Sequence, residues 1–207
     1  MLEELGLDYA LKMMPFPPRA LEPGYLEVNP LGTVPLMIEG EVRMTESSAI
    51  CHYLSARDRR STMTVPVDDP EYANYLNYLD FGESTLTVPL ALVLRYGRFE
   101  PEERRQPQVV VDQTRFFFAR LRQLESHLLA RDYVCGARFT AADVSVGYAL
   151  YLASFMDLSV SFKPAVQSYF QRLTERDGFL RAKQAQIDAA VVQGVSTLAS
   201  PLSMPPG

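Results

Sequence analysis

Residues 34–56 place two short strands and a helix directly after one another, and this order constrains the fold more than any other feature. The segment TVPLMIEGEVRMTE predicts a β-hairpin, with strands at residues 35–38 and 42–44 around a Glu-Gly turn. Apolar residues then recur at helical spacing, which predicts a helix over residues 47–56. A hairpin that leads straight into a helix indicates a small α/β unit.

The residues before the hairpin extend this unit. Leu2 and Leu5 followed by Gly6 predict the end of a helix. Residues 9–14 alternate well enough to predict a short strand, which Pro15 ends. A loop with a weak helical turn then leads to Asn29.

The pattern beyond residue 58 contains helices only. Residues 59–69 are charged and proline-containing without periodicity, which predicts a linker. Four helical signals follow. The first is a long helix or kinked pair interrupted at Pro89, and the second is a helix with Phe117, Leu121, Leu124 and Leu128 on one face. The third helix begins with a Thr140–Asp143 capping box, and the last begins after Pro164. The predicted all-helical domain spans residues 70–187, and residues 188–207 are predicted to be a disordered tail.

Composition excludes several classes of function. The net charge of −5 argues against a nucleic-acid partner, and the arginines between Arg95 and Arg122 alternate with acidic residues, as on a solvated helix surface. No apolar run approaches the ~20 residues that span a bilayer. Cys51 and Cys135 lie far apart in the sequence, without the spacing of a disulfide framework. The two cysteines and two histidines together do not have the spacing of a zinc site either. A cytoplasmic protein without a metal is expected.

Val34-Pro35 is the first candidate ligand contact. Pro35 lacks an amide proton, so it begins a strand without continuing a ladder, and Val34 keeps a free N–H and C=O at the strand end. Those two groups can pair with an extended peptide ligand. The simpler alternative is an ordinary proline at the start of an edge strand.

The segment Thr45-Glu46-Ser47-Ser48 is the second candidate. The N-terminus of a helix has unpaired amides and binds carboxylates, while Glu46 just outside it can pair with an ammonium group. Ser47 either caps the helix or donates its hydroxyl to the ligand. Together these groups suit the α-amino-acid end of a ligand.

The ordered set of Asn29-Pro30, Val34-Pro35-Leu36, Glu46-Ser47 and the Thr140–Asp143 capping box resembles the cytosolic glutathione transferases over about residues 1–186. The resemblance implies an α+β fold, in which an incomplete thioredoxin-like domain at residues 1–58 precedes an all-α helical bundle. It also implies a homodimer.

The same resemblance implies roles for particular residues. The Val34 main chain would bind the cysteinyl part of glutathione, with Pro35 cis, and Glu46 and Ser47 would hold the γ-glutamyl end. A second, apolar pocket for an electrophile would lie between the domains. The residues available to line it are Tyr78, Phe81, Gly82, Leu86 and Tyr96, which are equally suited to a helix-packing core.

The family's first strand, and the Ser, Tyr or Cys that activates the glutathione thiol after it, have no counterpart here. We expect either that Met1 is an internal start or that the protein is shortened. A free thiol has a reference pKa of ~8.5 and is mostly protonated at pH 7, whereas the thiolate is the reactive form. The missing group matters for catalysis because it would lower the pKa of the glutathione thiol.

The first hypothesis is a glutathione transferase that adds the glutathione thiolate to a small electrophile in detoxification. The alternative is a non-catalytic glutathione-binding or protein-interaction module. Reductase or isomerase activity is a closer variant of the first.

Overall fold

The computed structural model describes residues 1–58 and 61–199. A small N-terminal unit precedes a larger helical unit. The N-terminal elements are α1 (Leu2–Leu5), α2 (Pro18–Leu21), α3 (Tyr25–Val28), β1 (Met37–Glu39), β2 (Val42–Met44) and α4 (Ser47–Arg57). The helical unit contains α5 (Tyr72–Asp80), α6 (Val88–Leu94), α7 (Pro107–Leu128), α8 (Ala141–Ser154), α9 (Pro164–Thr174) and α10 (Asp177–Gln193), with π-helical segments at Phe81–Thr87 and Arg95–Phe99 and 3₁₀ turns at Glu102–Arg104 and Leu158–Ser161.

The predicted hairpin forms as a two-stranded antiparallel sheet, whose first strand begins two residues later and ends one residue later than predicted. Met37 pairs with Met44 and Glu39 with Val42, and the turn contains Gly40 at a φ of 57°. Pairing begins at Met37 rather than at Pro35 because Pro35 has no amide proton to donate to the ladder. The predicted helix after the hairpin is confirmed as α4.

The predicted strand at residues 9–14 is wrong. The segment has no regular secondary structure, although exposed and half-buried residues alternate over residues 9–13, and within the described chain it pairs with no strand. Its backbone is instead bound by a side chain: the Gln193 amide donates to the Leu11 carbonyl at 2.7 Å and accepts from the Met13 N–H at 2.9 Å. Alternation alone indicates a strand only where a partner ladder exists.

The first long helix of the helical unit is interrupted, as the sequence predicts, close to Pro89. The chain changes from α to π geometry over Phe81–Thr87 and returns to α geometry at Val88, just before Pro89. Proline removes one main-chain donor from the ladder, so the preceding turn widens to accommodate the unpaired carbonyl.

The core of the helical unit lies between α5, the first π-helical segment, α6, α7, α8 and α9. Phe117, Leu121, Leu124 and Leu128 all face it from α7, which confirms the predicted apolar face. The capping box at the start of α8 is also confirmed, with the Thr140 N–H donating to Asp143 Oδ2 at 2.8 Å.

The structure contains a helix that the sequence interpretation missed. α10 follows α9 and continues to Gln193, so the predicted boundary at residue 187 falls inside a helix. Of the predicted tail, residues 200–207 lie outside the described residues. The few α10 positions that are fully buried are small, Gly178 and Ala190, and therefore leave no apolar stripe in the sequence.

α10 binds the N-terminal unit through charged groups. Arg176, at its start, makes a bidentate ion pair with Glu4 at 2.8 and 2.9 Å, and Arg181 binds Glu3. The Arg176 guanidinium also stacks 3.5 Å from the centre of the Phe139 ring. A planar fork that meets a carboxylate and an aromatic face together fixes the orientation of the helix.

The predicted linker is packed rather than free where it is described. Arg59 and Arg60 lie outside the described residues. Met63 and Val65 are buried, and the Met63 carbonyl accepts from the Ala141 N–H at 2.8 Å at the start of α8. The linker therefore contacts the helical unit at the N-terminus of α8.

Candidate functional site

The first part of the predicted ligand cradle is the chain around Val34. The side chain of Val34 is exposed, and its peptide bond to Pro35 is cis. Among the described residues, the Val34 N–H and C=O have no hydrogen-bond partner. A main-chain donor and acceptor on one exposed residue present the pattern that an extended peptide recognises.

The loop before Val34 is held by buried polar groups. The Tyr25 hydroxyl donates to the Thr33 carbonyl at 2.5 Å, and the Asn29 amide donates to the same oxygen at 2.8 Å. Both side chains are almost completely buried. Tyr25 begins α3 and Asn29 ends it, so both ends of this short helix position the residue directly before Val34.

The second part of the cradle is the start of α4. Glu46 is the N-cap residue of α4, with extended backbone angles and an exposed side chain. Ser47 is the first helical residue, so the alternative in which Ser47 caps the helix is wrong. Within the described chain no side chain caps the α4 amides, which leaves donors for an anion at a positive helix end.

The structure adds a residue that the sequence interpretation missed. The Ser47 hydroxyl donates to Glu83 Oε2 at 2.6 Å, across the boundary between the N-terminal and helical units. Glu83 lies in the π-helical segment Phe81–Thr87. No local sequence pattern relates two residues this far apart, because their contact depends on how the two units pack.

Glu83 affects two neighbouring groups. Burial raises the pKa of the Cys51 thiol, and the charge of Glu83 adds to that shift. The Tyr148 side chain on α8 is half exposed, yet desolvation of its hydroxyl raises its pKa, again with a contribution from Glu83. Both groups are therefore protonated and neutral near pH 7.

The predicted electrophile pocket is not formed by the residues assigned to it. Tyr78, Phe81, Gly82 and Leu86 are all buried within the helical unit. The Tyr78 ring packs 5.5 Å from Phe81 and 4.5 Å from His127. These four residues are core, because the helix turns them toward α7 and α8 rather than toward the hairpin.

The fifth residue of that set, Tyr96, is half-buried beneath the Arg95 guanidinium at 5.4 Å. Near it, Phe16 of the N-terminal unit packs 5.6 Å from Phe99. The sequence interpretation did not identify this aromatic contact between the two units.

Neither cysteine is placed for nucleophilic chemistry. Burial raises the pKa of the Cys135 thiol to about 11, with the charge of Asp143 adding to the shift and the Thr140 hydroxyl opposing it. Burial likewise raises the pKa of Cys51. Among the described residues, no group of three or more His, Cys, Asp or Glu side chains is arranged to hold a metal.

We expect both thiols to resist alkylation in the folded protein. A thiol of pKa about 11 is about 0.1% thiolate at pH 8, and only the thiolate reacts. Iodoacetamide labelling of Cys135, located by peptide mass, should be at least about 100-fold slower at pH 8 than in the same protein unfolded in urea. The rate should rise steeply as the pH approaches 11, and fast labelling at pH 8 would contradict the assignment.

No described helix is both long and apolar enough to cross a membrane.

Comparison with known proteins identifies two matching family models. Residues 1–57 match the glutathione S-transferase N-terminal domain, and residues 112–172 match the glutathione S-transferase C-terminal domain. Between them they include the whole cradle and most of α7, α8 and α9.

Individual relatives agree with these matches. Glutathione S-transferase GstA of Escherichia coli O157:H7 is 27% identical over 178 residues, which cover 84% of this chain and 85% of that protein. Glutathione S-transferase 1 of Schizosaccharomyces pombe is 31% identical over 150 residues, 70% of this chain and 64% of that protein. The glutathione transferase URE2P6 of Phanerochaete chrysosporium, solved with oxidized glutathione, superposes with a TM-score of 0.75 at 26% identity, covering 91% and 89% of the two chains. The chain therefore belongs to the glutathione S-transferase family, with a thioredoxin-like N-terminal domain followed by a helical domain.

Proposed function

We propose that the protein binds glutathione between Val34 and the N-terminus of α4 and adds its thiolate to a small electrophilic substrate. The observation that carries the proposal is the pairing of an unpartnered main-chain N–H and C=O at Val34 with uncapped amides at the start of α4. Glutathione offers an extended cysteinyl peptide unit to the first and an α-carboxylate to the second. URE2P6, which is solved with oxidized glutathione, supports the choice of ligand.

The charges of the cradle suit the γ-glutamyl end. The positive end of α4 favours the carboxylate, and the exposed Glu46 carboxylate favours the neighbouring ammonium group. Pro35, beside the cysteinyl contact, offers no competing donor. The same cradle requires no metal.

We expect Ser47→Ala and Glu46→Ala each to weaken glutathione binding by about 1–2 kcal/mol, or about 5- to 30-fold in Kd, because each removes one polar contact. Isothermal titration calorimetry at pH 7 measures this directly. Glu41→Ala, which removes an exposed acid from the hairpin turn, is the matched control and should change Kd by less than twofold. Unchanged affinity in both cradle variants would overturn the proposal.

A non-catalytic glutathione-binding role is the second candidate, and the occupied hydroxyls favour it. The Tyr25 hydroxyl, close to Val34, donates to the Thr33 carbonyl. The Tyr9 hydroxyl donates to the Glu3 carboxylate, and desolvation together with that bond raises the pKa of Tyr9 to about 12. Neither group is free to stabilise a thiolate. Conjugation of 1-chloro-2,4-dinitrobenzene by a protein that binds glutathione separates the two candidates.

We also propose a homodimer in the cytoplasm. Leu76 on α5 and Val88 on α6 leave apolar surface exposed on the helical unit, and both cysteines are free thiols, as in a reducing compartment. Light scattering of the purified chain tests the first part.

A further inference from the structure

The Ser47 hydroxyl already has a hydrogen-bond partner within the protein. It donates to Glu83 Oε2 at 2.6 Å, and both residues are half-buried. A serine hydroxyl carries one proton and can donate to one acceptor at a time. A bond from a hydroxyl to a carboxylate is among the stronger hydrogen bonds, because its acceptor is charged.

A ligand carboxylate at the start of α4 needs that same proton. We infer that Glu83 competes with glutathione for the Ser47 hydroxyl, so that the ligand must displace an internal hydrogen bond. The inference rests on the proposed function, because it assumes that the glutathione carboxylate binds at α4.

Charge repulsion prevents the Glu83 carboxylate and the ligand carboxylate from binding the Ser47 hydroxyl at the same time. Two carboxylates that reach for one hydroxyl lie close enough to repel each other strongly in a half-buried site. Glu83 must therefore turn away when the ligand carboxylate arrives. Its backbone has no such freedom, because Gly82 and Leu86 on either side are buried against the helical core.

The exchange also releases a contact between the two units. Ser47 belongs to the N-terminal unit and Glu83 to the helical unit. The neighbouring contact between α4 and α5, from His52 Nδ1 to the Tyr75 hydroxyl at 2.7 Å, does not involve the cradle and is unaffected.

The test is a double-mutant cycle on glutathione affinity. Calorimetry at pH 7 would compare the wild type with Glu83→Gln, Ser47→Ala and the double variant. Glutamine keeps the shape of Glu83 but removes the charge that makes it a strong acceptor, so Glu83→Gln should bind glutathione about fivefold more tightly than the wild type. In the Ser47→Ala background, the same change should raise affinity by clearly less than fivefold, because only the lost charge repulsion then remains.

Asp80→Asn supplies a charge control. Asp80 is an exposed acid one turn before Glu83 on the same helix, and it makes no contact with Ser47. It removes an equal charge from the neighbourhood and should change affinity by less than twofold.

The outcomes separate the inference from the proposed function. Weaker or unchanged binding in Glu83→Gln, with wild-type binding intact and Ser47→Ala impaired, would overturn the competition and leave the cradle standing. Equal effects of Glu83→Gln with and without Ser47 would also overturn it. No binding by either the wild type or Glu83→Gln would overturn both, since removal of the competitor should expose the site.

Discussion

Replacement of Asp143 by alanine is expected to lower the free energy of unfolding by about 4 kcal/mol. Asp143 is fully buried and accepts four hydrogen bonds: from the Thr140 N–H and hydroxyl, the Val134 N–H and the Tyr169 hydroxyl, at 2.8 to 3.0 Å. Alanine leaves the Thr140 and Val134 N–H groups and the Tyr169 hydroxyl buried without this acceptor, while the Thr140 hydroxyl keeps a 3.7 Å contact with Cys135 Sγ. Each such group costs about 1–3 kcal/mol, offset in part by the removal of a buried carboxyl.

Burial is the main cause that raises the pKa of the Asp143 carboxyl, and its four donors oppose that shift. The donors come from α8, α9 and the turn before α8, so Asp143 joins three parts of the helical unit. Its role is structural, because it lies outside the cradle.

Urea unfolding followed by circular dichroism measures the loss. Tyr169→Phe removes one donor and leaves the other three, so its cost should be about 1.5 kcal/mol. Asp157→Asn changes an exposed acid near the C-terminal end of α8 and should stay within about 0.5 kcal/mol of the wild type. A loss below about 1 kcal/mol in Asp143→Ala would show that the network does not organise α8.

Local sequence patterns predicted the elements that carry their own signals. The Thr140–Asp143 capping box, the four-residue face of α7 and the turn at Gly40 depend on residues within a few positions of one another. α10 escaped prediction because its buried positions are small and its attachment is ionic, through Arg176 and Arg181. The strand at residues 9–14 was predicted from alternation, yet a ladder needs a partner that the alternation itself does not reveal.

The candidate site divides in the same way. Val34, Pro35, Glu46 and Ser47 lie in one continuous stretch, so motif and spacing were enough to select them. Glu83 reaches Ser47 only through the packing of two units, and nothing in its own neighbourhood marks it. The aromatic residues Tyr78 and Phe81 were ambiguous because core and pocket positions have the same composition, and only their burial distinguishes them.

Replacement of Gly82 by alanine should cost about 3 kcal/mol, and it should affect the cradle as well as the fold. A Cβ at Gly82 would lie 2.5 Å from the carbonyl carbon of Ser145 and 2.6 Å from its oxygen, so the backbones of the π-helical segment and α8 must separate. The Ser145 hydroxyl, which donates to the Leu79 carbonyl at 2.7 Å, ties α8 to the end of α5 just before the π-helical segment and resists that movement.

Gly147→Ala is the matched control on α8. A Cβ there would meet the end of the Leu173 side chain at 2.8 Å, and a flexible side chain can move where a backbone cannot. Its cost should be about 1 kcal/mol, and the difference between the two variants should appear as a Tm lower by about 4–8 °C in Gly82→Ala. Equal losses would mean that α8 does not limit the approach of the π-helical segment.

Gly82→Ala also moves the residue that follows it. Separation of the π-helical segment from α8 shifts Glu83 relative to Ser47, so the hydrogen bond between them should lengthen or break. Glutathione affinity should then change in Gly82→Ala but not in Gly147→Ala, when both are measured well below their Tm. The close approach of two backbones at Gly82 would in this way also set the distance between the cradle and the acid that competes for its hydroxyl.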